Sequence, residues 1–188
     1  FTAVIDLHDD TSTTVSMIIS LLKIPYKVAI EKTGQKIYTN TVRKPEYSKT
    51  HVIDRLLCLT PIFGITPEGS ININYKCLPE SINFAFRIID SVKLPGKKIA
   101  GINISAGSDA RFWGVERFRQ TADLLSSLGF SVLIITAPKD ISKAEMIAGN
   151  TYKMTYSYNF DEFAAVISLL DFLFTPDTSA VHLASAFN

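Results

Sequence analysis

Three polar clusters in this chain stand where chemistry could occur, each directly after an apolar run. Ser105-Ala106-Gly107-Ser108-Asp109-Ala110-Arg111-Phe112-Trp113 follows Ile99 to Ile104. Pro138-Lys139-Asp140 follows Val132 to Ala137. Asp177-Thr178-Ser179 follows Phe172-Leu173-Phe174 and leads into a small-residue segment carrying His182. Small residues after a strand, here Ser105 and Gly107, let backbone amides approach an anion closely. Arg111 adds a fixed planar cation suited to a diphosphate. An acidic residue just past a strand, Asp140, can accept from ribose hydroxyls. Asp177, Thr178 and Ser179 are all good helix N-cap types, and a helix N-terminus attracts anions. His182 lies one turn into that helix, on the face of Thr178.

Each cluster also has a plainer reading. The 105–113 loop can be a turn with a solvated arginine, and Asp140 can cap the helix starting near Ser142. Taken singly, these two clusters read more simply that way. His182 is either a phosphate or nucleotide contact or a histidine packed against the sheet. Neither G-x-G-x-x-G nor a Walker loop is present. Asn103-Ile104-Ser105-Ala106-Gly107 approximates the G-x-S-x-G elbow of serine hydrolases, with Asp177 and His182 in the matching order. Asn103 occupies the first glycine position, however, and Asp177 and His182 are too close in sequence for separate loops. A serine hydrolase is therefore the weakest alternative.

These clusters need a scaffold that brings them together. Spacing predicts strands at Thr2–Leu7, Tyr26–Ile30, Ile99–Ile104, Val132–Ala137 and Phe172–Thr175, with Asn72–Leu78 a further candidate. It predicts helices at Thr11–Lys23, His51–Phe63, Glu80–Val92, Val115–Leu128, Ser142–Ala148, Asn159–Leu170 and Thr178–Phe187. Gly64 and Gly129 read as helix stops, and Asn159 with Glu162 as a capping box. Glu31 to Ser48, with Gly34, reads as a long polar loop. Strand and helix alternate through the second half, which implies a parallel sheet with helices on its faces. Sites in such sheets lie at the carboxyl ends of the strands, so the three clusters should open on one edge. Leu94-Pro95-Gly96-Lys97-Lys98 is a polar breaker and the expected domain boundary, giving domains 1–94 and 95–188.

The bulk numbers narrow the class. At 188 residues and 47% hydrophobic, the chain can bury one large core or two small ones. With 19 basic and 18 acidic residues the net charge is +1, which gives no pull toward nucleic acid. Cys58 and Cys77 are far apart and suit buried free thiols in a reducing cytoplasm. No run is long and apolar enough to span a membrane, and no signal peptide is evident. The chain opens on strand-like Phe1-Thr2-Ala3-Val4-Ile5 and closes within or just after a helix, so it reads as part of a longer protein.

Taken together, the clusters resemble glycosyltransferase family 9, the ADP-heptose:lipopolysaccharide heptosyltransferase family. The family's Asp-Thr-Gly, two residues and His appear as Asp177-Thr178-Ser179-Ala180-Val181-His182. Its basic residue near a tryptophan appears as Arg111 and Trp113, and its turn ending in an acid as Pro138-Lys139-Asp140. Asp161-Glu162-Phe163-Ala164-Ala165-Val166-Ile167 resembles the helix before the last strand. Val4-Ile5-Asp6-Leu7-His8 and the helix led by His51 match more loosely. Ser179 stands where glycine is usual, Arg111 where many members have lysine, and Asp140 where glutamate is common.

The resemblance implies an α/β, GT-B-like architecture of two Rossmann-like parallel-sheet domains facing across a cleft, both incomplete here. It implies a donor-side C-terminal domain and an acceptor-side N-terminal domain. The implied reaction is an inverting, metal-independent transfer of a sugar, heptose first, from a nucleotide diphosphate donor, ADP-heptose first, to a lipid-linked saccharide acceptor of the lipopolysaccharide core type. Ser105, Gly107, Asp140, Asp177, Thr178, Ser179 and His182 would bind the donor, with Asp177 capping the helix. Arg111 would stabilise the leaving group, and His8 could line the acceptor side. The base would come from a loop that this chain does not contain, so neither Asp6 nor His8 is assigned to it. The fragment alone should not catalyse transfer. The implied location is cytoplasmic, with peripheral contact at the inner face of the bacterial inner membrane. A non-catalytic nucleotide-sugar-binding domain is the alternative.

Overall fold

A computed structural model of the chain describes residues 1–8, 10–33, 36–46, 48–68 and 73–187. Gly34, Asn72 and Asn188 lie outside the described residues. The chain divides into two compact units, Phe1–Ile71 and Asn72–Asn188.

In the first unit, strands β1 (Ala3–Asp6), β2 (Tyr26–Ile30) and β3 (Asn40–Val42) are parallel and pair in that order. The middle strand carries the core: Val28 and Ile30 pack with Leu59, and Val42, Cys58 and Ile62 close over them. Helix α1 (Thr13–Leu21) connects β1 to β2 and starts at Ser12, whose hydroxyl accepts from the Val15 N–H at 3.4 Å. The apolar run expected as one helix over 51–63 splits into α2 (Val52–Leu57) and a 3₁₀ turn at Thr60–Phe63. Pro61 has no amide to continue an α-helix, and Gly64 at φ 70° ends the turn as expected. Strand β3 lies inside the stretch read as loop. Asn40 and Thr41 give no apolar run, and the strand forms because the free edge of β2 pairs with it, Val28 opposite Asn40 and Ile30 opposite Val42.

The second unit begins with α3 (Pro79–Val92), and residues 73–78 before it form no strand. It continues through β4 (Ile99–Asn103), α4 (Val115–Ser127), β5 (Ser131–Thr136), α5 (Ile141–Ala148), β6 (Lys153–Tyr156), α6 (Phe160–Ser168), β7 (Phe172–Phe174) and α7 (Ser179–Ala186). The four strands are parallel in the order β6-β5-β4-β7. Helices cover both faces, so every residue of β4 and β5 is buried. Alternation divides the strands between two cores. Ala100, Ile102, Val132 and Ile134 pack with Phe118, Ala122, Ala144 and Ile147 of α4 and α5. Ile99, Leu133 and Ile135 pack with Ala85, Ile89, Ala165 and Val166 of α3 and α6. A Cβ on Gly101 would overlap Leu170 Cδ1 and lie 3.0 Å from Ile135 Cδ1, so any side chain there requires the end of Leu170 to shift.

Two expectations change. The division at Leu94 falls inside the second unit, because α3 is part of that unit's core. The breaker is a turn within the unit, held by the Leu94 N–H donating to Ser131 Oγ at 3.0 Å. Strand β6 was not expected. It is a short edge strand with one buried residue, Thr155, and has no apolar run to announce it.

Candidate functional site

Parallel pairing ends four strands on one edge, at Asn103, Thr136, Tyr156 and Phe174. The strand order turns back at β4, whose sequence successor β5 lies on one side and β7 on the other. A cavity of about 470 Å³ opens at this edge, walled by the loops after all four strands. That volume is within the range of small-molecule sites, about 300–1,000 Å³, and the position is where open α/β sheets bind ligands.

The structure brings Ser105, Gly107, Asp177, Thr178 and Ser179 together on the cavity wall. Ser105 is framework as well as wall. Its hydroxyl accepts from the Ala137 N–H at 2.8 Å and lies 3.2 Å from Thr136 Oγ1, tying the β4 loop to the end of β5. No histidine is hydrogen-bonded to it among the described residues, so the elbow reading has no base. A Cβ on Gly107 would meet no atom within 4 Å, so protein packing does not demand glycine at this wall.

The helix cap is Thr178, not Asp177. Thr178 Oγ1 accepts from the Ala180 N–H at 3.3 Å and from Asn103 Nδ2 at 3.4 Å. Asn103 also donates to Thr175 Oγ1 at 2.9 Å. The buried amide at the end of β4 thereby fixes the loop that starts α7. Ser179, the first residue of α7, stands on the wall, and Asp177 presents an exposed carboxylate beside it.

Three expected residues lie elsewhere. Asp140 is buried, 5% exposed, and its carboxylate accepts from Lys143 Nζ at 2.9 Å instead of lining the cavity. It occupies the N-cap position of α5 without a side-chain capping bond. Lys143 also donates to Asp109 at 2.7 Å and lies 4.8 Å from the centre of the Phe112 ring. That bond holds the Asp109 carboxyl below its usual value and raises the Lys143 ammonium. Lys143 thus staples the 109–111 turn to the start of α5. His182 is exposed and off the wall, because its position on α7 faces solvent while Ala180 and Leu183 face the core. Arg111 lies in a separate recess with Trp113. In the first unit, His8 is exposed beside Asp6, its Nδ1 3.4 Å from Oδ1. It borders a groove of about 350 Å³ between β1 and α1.

Other wall residues escaped sequence reading. Lys139 stands on the wall and donates to the Ala106 carbonyl at 3.1 Å, so it supplies a cation within the cavity. Tyr158 and Phe160, 86% and 51% exposed, form an aromatic rim. Both follow β6, and the aromatic content of Tyr156-Ser157-Tyr158 was the available strand signal. The capping box is also rearranged. Asn159 accepts from the Asp161 N–H at 2.9 Å, but Glu162 accepts from Ser157, whose oxygen takes the Asn159 N–H at 2.9 Å. No helix among the described residues is long and apolar enough to cross a membrane.

A family model described as glycosyltransferase family 9 (heptosyltransferase) matches residues 1–188. No curated protein matches. Among solved structures, a family 9 glycosyl transferase from Veillonella parvula DSM 2008 superposes with a TM-score of 0.75 at 18% identity, over 98% of this chain and 54% of that one. E. coli heptosyltransferase WaaC with ADP-2-deoxy-2-fluoro heptose gives 0.68 at 16%, over 100% and 59%. E. coli ADP-heptose lps heptosyltransferase II gives 0.67 at 14%, over 99% and 59%. The chain therefore spans little more than half the length of the solved chains it matches.

Proposed function

The chain belongs to glycosyltransferase family 9, and on that premise we propose that its second unit binds the nucleotide diphosphate end of a sugar donor in the four-loop cavity. ADP-heptose is the first choice of donor, since an ADP-heptose analogue is bound in one similar structure. The observation that carries the reading is the meeting of Lys139, the start of α7 and an aromatic rim around one cavity at the carboxyl edge of a parallel sheet.

Each group has a part in this reading. Tyr158 and Phe160 offer rings to the nucleoside base. Lys139 and the first amides of α7 draw the diphosphate. Thr178 keeps those amides in place through its cap and its link to Asn103. Asp177 repels phosphate and is left to donor hydroxyls. Asp140 acts behind the wall through Lys143 rather than on the ribose.

In the whole protein, an acceptor hydroxyl attacks the anomeric carbon as the bond to the diphosphate oxygen breaks, with inversion. Arg111 stabilises the charge that develops on the leaving diphosphate. The base is a carboxylate from outside this chain. The first unit, with His8, serves a lipid-linked saccharide acceptor at the inner face of a membrane. The family resemblance supports these last assignments.

Calorimetry with ADP, UDP and GDP tests the reading. One of the three should bind, and Lys139→Ala should weaken it about ten- to a hundredfold, as for loss of a hydrogen bond to a charged group. Absence of binding by all three would refute it.

A further inference from the structure

Residues 73–78 bring the chain into the second unit and lead into α3. One carboxylate and two rings hold this entry segment. The Tyr75 hydroxyl donates to Asp161 Oδ1 at 2.9 Å, and the Leu78 N–H donates to Asp161 Oδ2 at 2.9 Å. The Tyr75 ring stands edge-on to Phe160 and to Phe187, with ring centres at 6.1 and 6.2 Å and interplanar angles of 79° and 88°. Tyr75 and Cys77 also pack on the core of Ala164, Ile167, Ala180 and Leu183. Helix dipoles favour the carboxylate's place. Asp161 lies in the first turn of α6, and its bond to Leu78 sets it at the start of α3, whose own N-cap residue has no polar side chain.

The same grip touches the cavity. Phe160, next to Asp161 in sequence, and Phe163 both line it. The Phe160 ring packs on those of Tyr75 and Phe163, the latter at 6.1 Å, and leaves its remaining surface open. We propose that Tyr75 is a positioning residue of the nucleotide site. It braces the Phe160 ring for the base, and through that brace the entry segment and the cavity are energetically linked. The inference rests on the diphosphate reading above, with Phe160 meeting the base. An exposed ring loses rotamer freedom when a ligand packs on it, and a ring already braced loses less. The linkage is reciprocal. If the gripped entry segment raises nucleotide affinity, bound nucleotide tightens the grip by the same factor. Tyr75 and Leu78 are off the cavity wall, so either effect passes through the start of α6.

Calorimetry and amide hydrogen exchange with ADP, UDP and GDP test the brace. For the nucleotide that binds, Tyr75→Leu should weaken affinity about two- to tenfold, as for one aromatic side chain left for the ligand to order. Tyr75→Phe, which keeps the ring and loses the hydroxyl, should lose less. Affinities are compared at a temperature where circular dichroism shows each variant folded. In the unsubstituted chain, saturating nucleotide should slow exchange of the Leu78 amide by a factor of the same order. Phe160→Ala should still bind diphosphate through Lys139 and α7, more weakly, and should abolish the slowing. Unaltered affinity in Tyr75→Leu, exchange at Leu78 indifferent to bound nucleotide, or slowing that persists in Phe160→Ala would overturn the brace and leave the diphosphate reading in place. Failure of all three nucleotides to bind would overturn both readings.

Discussion

Asp6 ends β1 with a buried carboxylate that accepts from Lys32 Nζ, the Tyr38 hydroxyl and the His8 N–H, the last at 2.9 Å. Burial works to raise this carboxyl, but the three donors outweigh it and hold it below the usual value. Folding therefore favours the charged form. Its stabilisation is complete above the unfolded value of about 3.9 and is lost as the pH falls from there through the folded value. Tyr38 is pushed up to about 12 by burial and then by Asp6, so its share is complete below about 10 and lost as the pH rises toward 12. Asp6→Asn leaves the Lys32 ammonium buried without its counter-charge. It should cost about 3–5 kcal/mol in urea unfolding followed by probes in the first unit, and should remove that carboxyl's part of the acid sensitivity. Sequence reading found no buried partner for Asp6, because Lys32 and Tyr38 lie in a stretch read as irregular loop. Gly107 is a residue-scale test of the cavity. Gly107→Ala should leave the melting temperature unchanged, since no protein atom is near. It should lower nucleotide affinity several-fold if phosphate approaches that backbone.

At the scale of elements, β4 is the organiser of the second unit. It is buried on both faces, it stands where the strand order turns, and it ends in Asn103. Gly101→Ala forces Leu170 to move and should cost about 1–3 kcal/mol in denaturant melts. Asn103→Leu removes the donor to Thr175 and Thr178, so it should weaken binding of the diphosphate about tenfold with the fold retained by circular dichroism. The alternation of strand and helix from Ile99 onward was legible because each strand there is a continuous apolar run bounded by turn residues. The edge strands β3 and β6 were not, since Asn40, Thr41, Lys153 and Tyr156 face solvent and their pairing is decided by the neighbouring strand. The loop after β6 went unread with it, and so did the aromatic rim. Asp177, Thr178 and Ser179 were legible as an anion-type helix start, but which of them caps was settled by Asn103, 75 residues away from Thr178. Asp140 and His182 were read from chain position and from the family resemblance, and packing turns one to Lys143 and the other to solvent.

For the molecule as a whole, the family match extends over the entire chain, and the parallel sheets of both units follow the heptosyltransferase-like, GT-B pattern. The chain covers 54–59% of the length of the solved relatives described above, so transfer itself is a property to be measured on a longer protein. The division into Phe1–Ile71 and Asn72–Asn188 gives a further expectation. A chain of residues 72–188 retains both cores of the second unit and all four cavity loops, so it should fold and bind diphosphate as the full chain does. A chain starting at residue 95 loses α3, exposes Ile99, Leu133 and Ile135, and should aggregate. The most direct measurement is an amide chemical-shift titration of the chain with ADP. The account predicts shifts concentrated at Ser105 to Gly107, Lys139, Tyr158 and Thr178 to Ser179. Saturating ADP that moves only amides remote from this sheet edge, or failure of ADP, UDP and GDP alike to move these amides, would contradict it.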